Sequence, residues 1–190
     1  DAQQTMARLV TEKKPGMHIL AHTAPQDVAI EALRSLRTAL QFAMLEAPNN
    51  RLLITGGTPG IGKSFVSCNF SGVMASAGKR VLLIDADLRK GHLNQYFGRT
   101  RDGGLSELVV GAIPLEQAIQ RQVLPNLDFL PTGVLPPNPA ELLVSVAFER
   151  LLGQLSSQYD LVVIDSAPVL VAADSLSNAT HAATVLLDAR

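Results

Sequence analysis

Apolar residues fall along the chain in two alternating kinds of stretch. Five short runs, at 52–55, 81–85, 127–130, 161–165 and 184–187, are mostly apolar, four of them almost continuous in Val, Ile and Leu and the third reading Leu-Asp-Phe-Leu. Runs of that length, bounded by turn-forming residues, predict strands buried on both faces, the mark of a parallel sheet. Between them the apolar positions recur at helical spacing. Ile30, Leu33, Leu36, Leu40, Ala43 and Met44 predict a helix within 26–47, ended by Pro48-Asn49-Asn50. Val66, Phe70, Val73, Met74 and Ala77 predict a second helix over 63–77, closed by Gly78, with one apolar face to lay on the sheet. A short helix is expected near 105–110. Another opens at Pro139, where Asn138, Pro139 and Glu141 have the spacing of a capping box.

Residues 1–24 are polar and carry Lys13-Lys14-Pro15-Gly16, so they read as a linker or arm ahead of a domain over 25–190. Strands alternating with helices predict an α/β fold with a mostly parallel central sheet and helices on both faces. A chain of 190 residues fits one such domain, and 47% hydrophobic with 17% charged residues is a globular profile. The net charge of −1 gives no electrostatic case for nucleic acid as a partner. The single cysteine, Cys68, rules out an internal disulfide framework and reads as a small core residue. No apolar run approaches the roughly 18 to 20 residues of a membrane span and no signal peptide opens the chain, so it reads as soluble as it stands.

The chemistry lies where strands end. After the first strand comes Gly57-Thr58-Pro59-Gly60-Ile61-Gly62-Lys63-Ser64-Phe65, with the Gly-x4-Gly-Lys-Ser spacing of a P-loop. Glycines let backbone N–H groups converge on phosphate oxygens, and the following helix adds its positive N-terminal end. Lys63 would reach the β- and γ-phosphates and Ser64 would bind Mg2+. Lys63 has no evident core role, so replacing it should leave the fold intact. The second strand ends in Asp85-Ala86-Asp87, two acids that share a face of an extended chain. The fourth ends in Asp165, an acid of Walker B type, and ligands of such sheets bind beyond these carboxyl ends. His18 and His22 mimic a metal pair but have no third ligand nearby in sequence.

In combination these motifs resemble the cytoplasmic domain of the bacterial tyrosine kinases that accompany capsule and exopolysaccharide export. That family carries a Walker A loop, an apolar strand followed by Asp-x-Asp-x-Arg, and an apolar strand followed by Asp-x-x-Pro. The chain matches at Gly57–Ser64, at Asp85-Ala86-Asp87-Leu88-Arg89 and at Asp165-Ser166-Ala167-Pro168. It also has the family's Glu-x-x-Arg-x-x-Arg, as Glu31, Arg34 and Arg37, and a similar Pro136–Leu143 stretch. The fold implied is that of the P-loop NTPases, in the branch of the Min and Par ATPases. Those ATPases share the strand motifs, but their signature lysine near the start of the loop is replaced here by Thr58, followed by Pro59. They remain an alternative, as does a nucleotide-gated assembly module that phosphorylates nothing.

The resemblance implies an ATP- and Mg2+-dependent tyrosine autokinase that acts between subunits and regulates polysaccharide synthesis and export. It implies catalytic roles for Lys63, Asp85 and Asp87, with Mg2+ held by Ser64 and by Asp87 or Asp165. Asp85 is the best candidate to take the tyrosine proton, although the residues themselves do not divide the roles of Asp85 and Asp87. Glu31, Arg34 and Arg37 would dock against a neighbouring copy and close a ring. Other implied partners are a membrane co-polymerase segment, in the same chain or another, a tyrosine phosphatase and polysaccharide enzymes. The implied location is the cytoplasmic side of an inner-membrane protein. Family members end in a tyrosine-rich tail, whereas this chain has only Tyr96 and Tyr159, the latter read as structural. A further helix and strand, and that tail, are expected beyond Arg190.

Overall fold

A computed structural model describes residues 17–56, 61–167 and 184–188 of the chain. The apolar runs form strands β1 (Arg51–Gly56), β2 (Val81–Asp85), β4 (Leu127–Leu130), β5 (Leu161–Asp165) and β6 (Thr184–Asp188). A further strand, β3 (Gln120–Leu124), brings the sheet to six, ordered β3-β4-β2-β5-β1-β6. All pairings are parallel except β3 with β4. Strand β3 carries no apolar alternation to announce it, because it is a half-exposed edge with an irregular register and Gln122 at a φ of 51°. Its Arg121 donates to Asp128 across the hairpin at 3.0 Å.

Successive strand residues face opposite sides of the sheet, and each side is covered. Leu52, Ile54, Leu83 and Val163 join one core with helices α2 (Val28–Met44) and α3 (Ile61–Ser76). Leu53, Leu82, Ile84 and Val162 join the other core. It is packed by α4 (Leu105–Val109), α5 (Leu115–Ala118), α6 (Pro139–Leu143) and α7 (Val146–Ser156). Asp27 caps α2, its carboxylate accepting from the Ala29 amide at 2.9 Å. Asn138 makes no such bond at the start of α6 and donates instead to the Glu141 carboxylate. The expected capping box is therefore absent, and α6 is a single turn. The effective cap is Ser145, which accepts from Phe148 N at 3.2 Å and starts the longer α7.

The expected arm is partly outside the described residues, but its end is packed. A short helix α1 (Leu20–Thr23) lies on α3, with Ile19 and Leu20 fully buried. His18 N donates to Tyr96 O at 2.6 Å, and Ala21 N donates to Asn69 Oδ1 at 2.8 Å. Asn69 is itself buried in α3 and returns a bond from Nδ2 to Phe65 O. Thus residues 18–21 are tied to the same helix that opens at the phosphate loop.

Asn69→Ala should leave the partly buried Ala21 amide unpaired and lower stability by about 1–3 kcal/mol, measured by urea unfolding. A loss under about 0.5 kcal/mol, the size of an ordinary surface change, would show that this segment is not held there.

Candidate active site

The parallel pairing brings the motif residues to one edge. Strand β5 lies between β1 and β2, and its Asp165 is in register with Asp85 on one side and Ile54 on the other. Backbone bonds continue this past the strand ends: Ala86 N donates to Asp165 O and Ser166 N to Ile54 O. The sheet thus delivers Asp85, Asp165 and the chain leaving β1 for the P-loop to the same crevice. Gly57, Thr58, Pro59 and Gly60 lie outside the described residues; Ile61, Gly62, Lys63, Ser64 and Phe65 form the first turn of α3.

Lys63 is buried rather than surface-exposed. Its Nζ lies 2.8 Å from Asp165 Oδ1 and donates to Ser166 O at 2.7 Å. This corrects the expectation that Lys63 has no core role. Removing the ammonium leaves the Asp165 carboxylate without its partner, and breaking a buried pair from one side costs about 3–5 kcal/mol while the survivor stays charged.

Asp85 is equally buried, and its oxygens are held by its own loop: Oδ1 accepts from Asp87 N at 3.2 Å and Oδ2 from Leu93 N at 3.1 Å. Asp87 is half-buried and accepts through Oδ1 from Arg89 N and Lys90 N, which folds the 87–90 turn. Burial pushes the Asp85 carboxyl well above the ordinary carboxylate range, and the charge of Asp165 adds to it against the two amides. Asp165 is raised as well, by burial first, with Lys63 pulling the other way. Two acids side by side in a dry place cannot both ionise cheaply.

The donor set suits a hydrated Mg2+ bound with phosphates: the Ser64 hydroxyl and the Asp87 and Asp165 carboxylates are hard oxygen ligands, and that ion keeps several waters. Among the described residues no three His, Cys, Asp or Glu side chains cluster as a complete metal cage. Thr55 Oγ1 and Ser166 Oγ, at the ends of β1 and β5, are buried with no hydrogen-bond partner among the described residues. Such orphaned hydroxyls are what a polar ligand would satisfy.

The remaining candidates separate from this edge. Glu31 is exposed and pairs with Arg34, whose other nitrogen donates to Pro25 O at 2.7 Å; Arg37 is half-buried. Tyr159 is structural, its hydroxyl donating to Asp128 Oδ2 at 2.6 Å, and Tyr96 is a buried member of the 93–97 turn. Cys68 is a core residue, with its thiol pushed up by burial. His18 is buried and His22 exposed. Among the described residues no helix is long and apolar enough to cross a membrane.

The sequence profile of the AAA domain family matches residues 52–187. Over 190 residues the chain is 52% identical to a putative tyrosine-protein kinase EpsB of Ralstonia solanacearum, covering 100% of this chain and 25% of that protein. It spans about a quarter of the length of the curated relatives it matches. Among solved structures, the BceF tyrosine kinase domain aligns with a TM-score of 0.86 at 42% identity, over 97% of this chain and 75% of that one. The kinase domain of Escherichia coli tyrosine kinase ETK aligns at 0.84 and 43% identity, over 90% and 67%. The septum site-determining protein MinD of Pyrococcus horikoshii, at 24% identity and 0.58, shares the fold alone.

A raised folded-state value means that folding favours the protonated acid. Its stabilising contribution is complete below the ordinary carboxylate range and is lost as pH rises through the raised value. Asp85→Asn removes that titration. Urea unfolding in EDTA between about pH 5 and pH 8 should show the parent losing stability relative to Asp85→Asn, with a slope of up to about 1.4 kcal/mol per pH unit. Parallel curves would place the Asp85 carboxyl in the ordinary range.

Proposed function

The chain belongs to the AAA domain family and, within it, to the bacterial tyrosine-kinase domains; on that premise we propose that it binds ATP with Mg2+ and transfers the γ-phosphoryl group to protein tyrosines. The observation that carries this reading is the meeting of Lys63, Asp85 and Asp165 at one carboxyl edge of the sheet. In the proposed reaction the acceptor tyrosine oxygen forms a bond to the γ-phosphorus. The bond to the β–γ bridging oxygen breaks, ADP leaves, and the tyrosine proton passes to a carboxylate.

Each residue has a share in that step. The amides at the start of α3 cradle the phosphates, and Lys63 offsets charge on the transferred group. Ser64 with Asp87 or Asp165 would hold Mg2+, which when bound neutralises developing phosphate charge. Asp85 is the proposed base. A tyrosine hydroxyl has a reference pKa near about 10, so it arrives protonated. In its ionised form, a buried carboxylate with raised proton affinity suits its removal. Lys63 would exchange Asp165 for phosphate oxygens, leaving the Asp165 carboxylate available to hold Mg2+.

Both tyrosines of the chain are buried, so the acceptor is proposed to come from a neighbouring copy's tail or from another protein. Glu31, Arg34 and Arg37 on α2 are the proposed docking face for a ring-like homo-oligomer. The longer relatives and the motif resemblance support a membrane co-polymerase segment and a cytoplasmic placement at the inner membrane. They also support a role in exopolysaccharide production, with a tyrosine phosphatase and polysaccharide enzymes as partners.

Lys63→Met should lower ATP-dependent tyrosine phosphorylation by roughly 10²-fold or more and also destabilise the fold through the stranded Asp165. Lys63→Met/Asp165→Asn should recover stability without recovering transfer. Phosphoamino-acid analysis of the full-length protein with labelled ATP, beside thermal melts, reads both quantities; parental turnover in the single variant would refute the assignment.

Replacing Glu31, Arg34 and Arg37 together by Ala should reduce self-association in light scattering. The domain stays folded, since surface charges contribute at most about 1 kcal/mol each. An unchanged size distribution, where the parent associates, would remove α2 from the interface.

A further inference from the structure

Asp85 and the loop that follows it hold each other. The sheet holds Asp85 and Ala86 against Asp165, but the amides that orient the Asp85 carboxylate, Asp87 N and Leu93 N, belong to the loop beyond them, whose course is set where another loop meets it. That other loop is the one after β4. At Gly91 the two loops touch so closely that no side chain fits. A Cβ there would overlap Thr132 Cγ2, and would come within 2.6 Å of Asp87 O and 2.9 Å of Asp85 Oδ2.

The second loop is in turn pinned from α4. Glu107 accepts through Oε1 from Val134 N at 2.6 Å and through Oε2 from Gly104 N at 2.5 Å. Ser106 Oγ donates to Val134 O, while Leu105 N and Ser106 N donate to Pro131 O and Thr132 O. Gly133 has a φ of 79°, and a side chain there would run into the Glu107 carboxylate. Thr132 is buried, with its hydroxyl donating to Gly133 O at 3.0 Å, which turns its methyl group onto Gly91.

We propose that Glu107, Thr132 and Gly91 form a clamp that positions Asp85 and Asp87 for phosphotransfer. Glu107 fixes the 131–134 loop, the Thr132 methyl bears on Gly91, and Gly91 sets where the two acids stand. The clamp rests on the reading of Asp85 and Asp87 as the working acids. None of its three residues is a catalytic residue; each acts through the next. The leverage is large because a misplacement of about 1 Å at a reacting group can cost roughly 10²-fold in rate.

Thr132 separates the clamp from general stability. Thr132→Ser deletes the methyl and keeps the hydroxyl, whereas Thr132→Val keeps the methyl and loses the hydroxyl. In the full-length protein, Thr132→Ser should lower kcat for tyrosine phosphorylation by about 10-fold to 100-fold, with KM for Mg·ATP within about twofold of the parent. Thr132→Val should restore kcat to within about threefold of the parent. Glu107→Gln, which can accept only one of the two amides, should follow Thr132→Ser. Thermal melts of each variant run beside the kinetics, with Asp85→Asn as reference. Parental kcat in Thr132→Ser while Asp85→Asn is crippled would overturn the clamp alone. Equal loss in Ser and Val variants would overturn it too, because the methyl would not be the acting group. Parental kcat in Asp85→Asn would overturn the reading of Asp85, and the clamp with it.

Discussion

Two carboxylates end neighbouring strands in register, both buried, and one ammonium answers only one of them. Asp165 has Lys63 at 2.8 Å, whereas Asp85 has two backbone amides and no cation that the structure shows bonded to it. Burial of charge without full compensation costs free energy, and the rest of the edge is organised around that cost. Strand order places the pair together, α3 brings the lysine, and the loop after β2 wraps its amides around the second acid. In the proposed function this imbalance is what a bound nucleotide would act on, since its phosphates would compete with Asp165 for Lys63.

Much of this was legible in the sequence because parallel strands covered on both sides leave continuous apolar runs, and because the chemistry sits at their ends. Asp85 and Asp165 could be placed at one edge from strand patterning alone. Their register could not, since it depends on which strands become neighbours. The Lys63–Asp165 pair was hidden for the same reason: a hundred residues separate its members, and no local pattern records the contact. Local competition hid other features. Ser145 took the capping role that Asn138 was expected to fill, and β3 went unseen because an edge strand of Gln, Arg and Gln has only one side to bury.

The end of the expected arm shows a further limit. Met17, Ile19, Leu20 and Ala21 form only a short apolar cluster after a basic, proline-containing stretch, too short for a periodic signal. The burial of Ile19 and Leu20 on α3 is a tertiary event, secured by Asn69 and by the carbonyl of Tyr96. Arg34 then ties the same segment to α2 through Pro25 O. A side chain assigned from sequence to an outward-facing motif is thus already bonded to its own chain at the surface, and a neighbour that engages it competes with an existing bond.

The burial of Tyr96 and Tyr159 has a consequence for selectivity. The Tyr159 hydroxyl is spent on Asp128, with Arg121 beside it at 2.9 Å, and Tyr96 is 1% exposed. Reaching the Tyr96 hydroxyl would require local opening of the core, and reaching that of Tyr159 would require breaking its bonds to Asp128 and Arg121. For the proposed kinase, Tyr96 and Tyr159 are thus withheld from phosphotransfer while the domain is folded. Under the proposed function, selection among tyrosines would begin before any reading of neighbouring residues: a hydroxyl held in the fold is withheld, one on a segment able to reach the crevice is a competent acceptor, and order itself would serve as the protection.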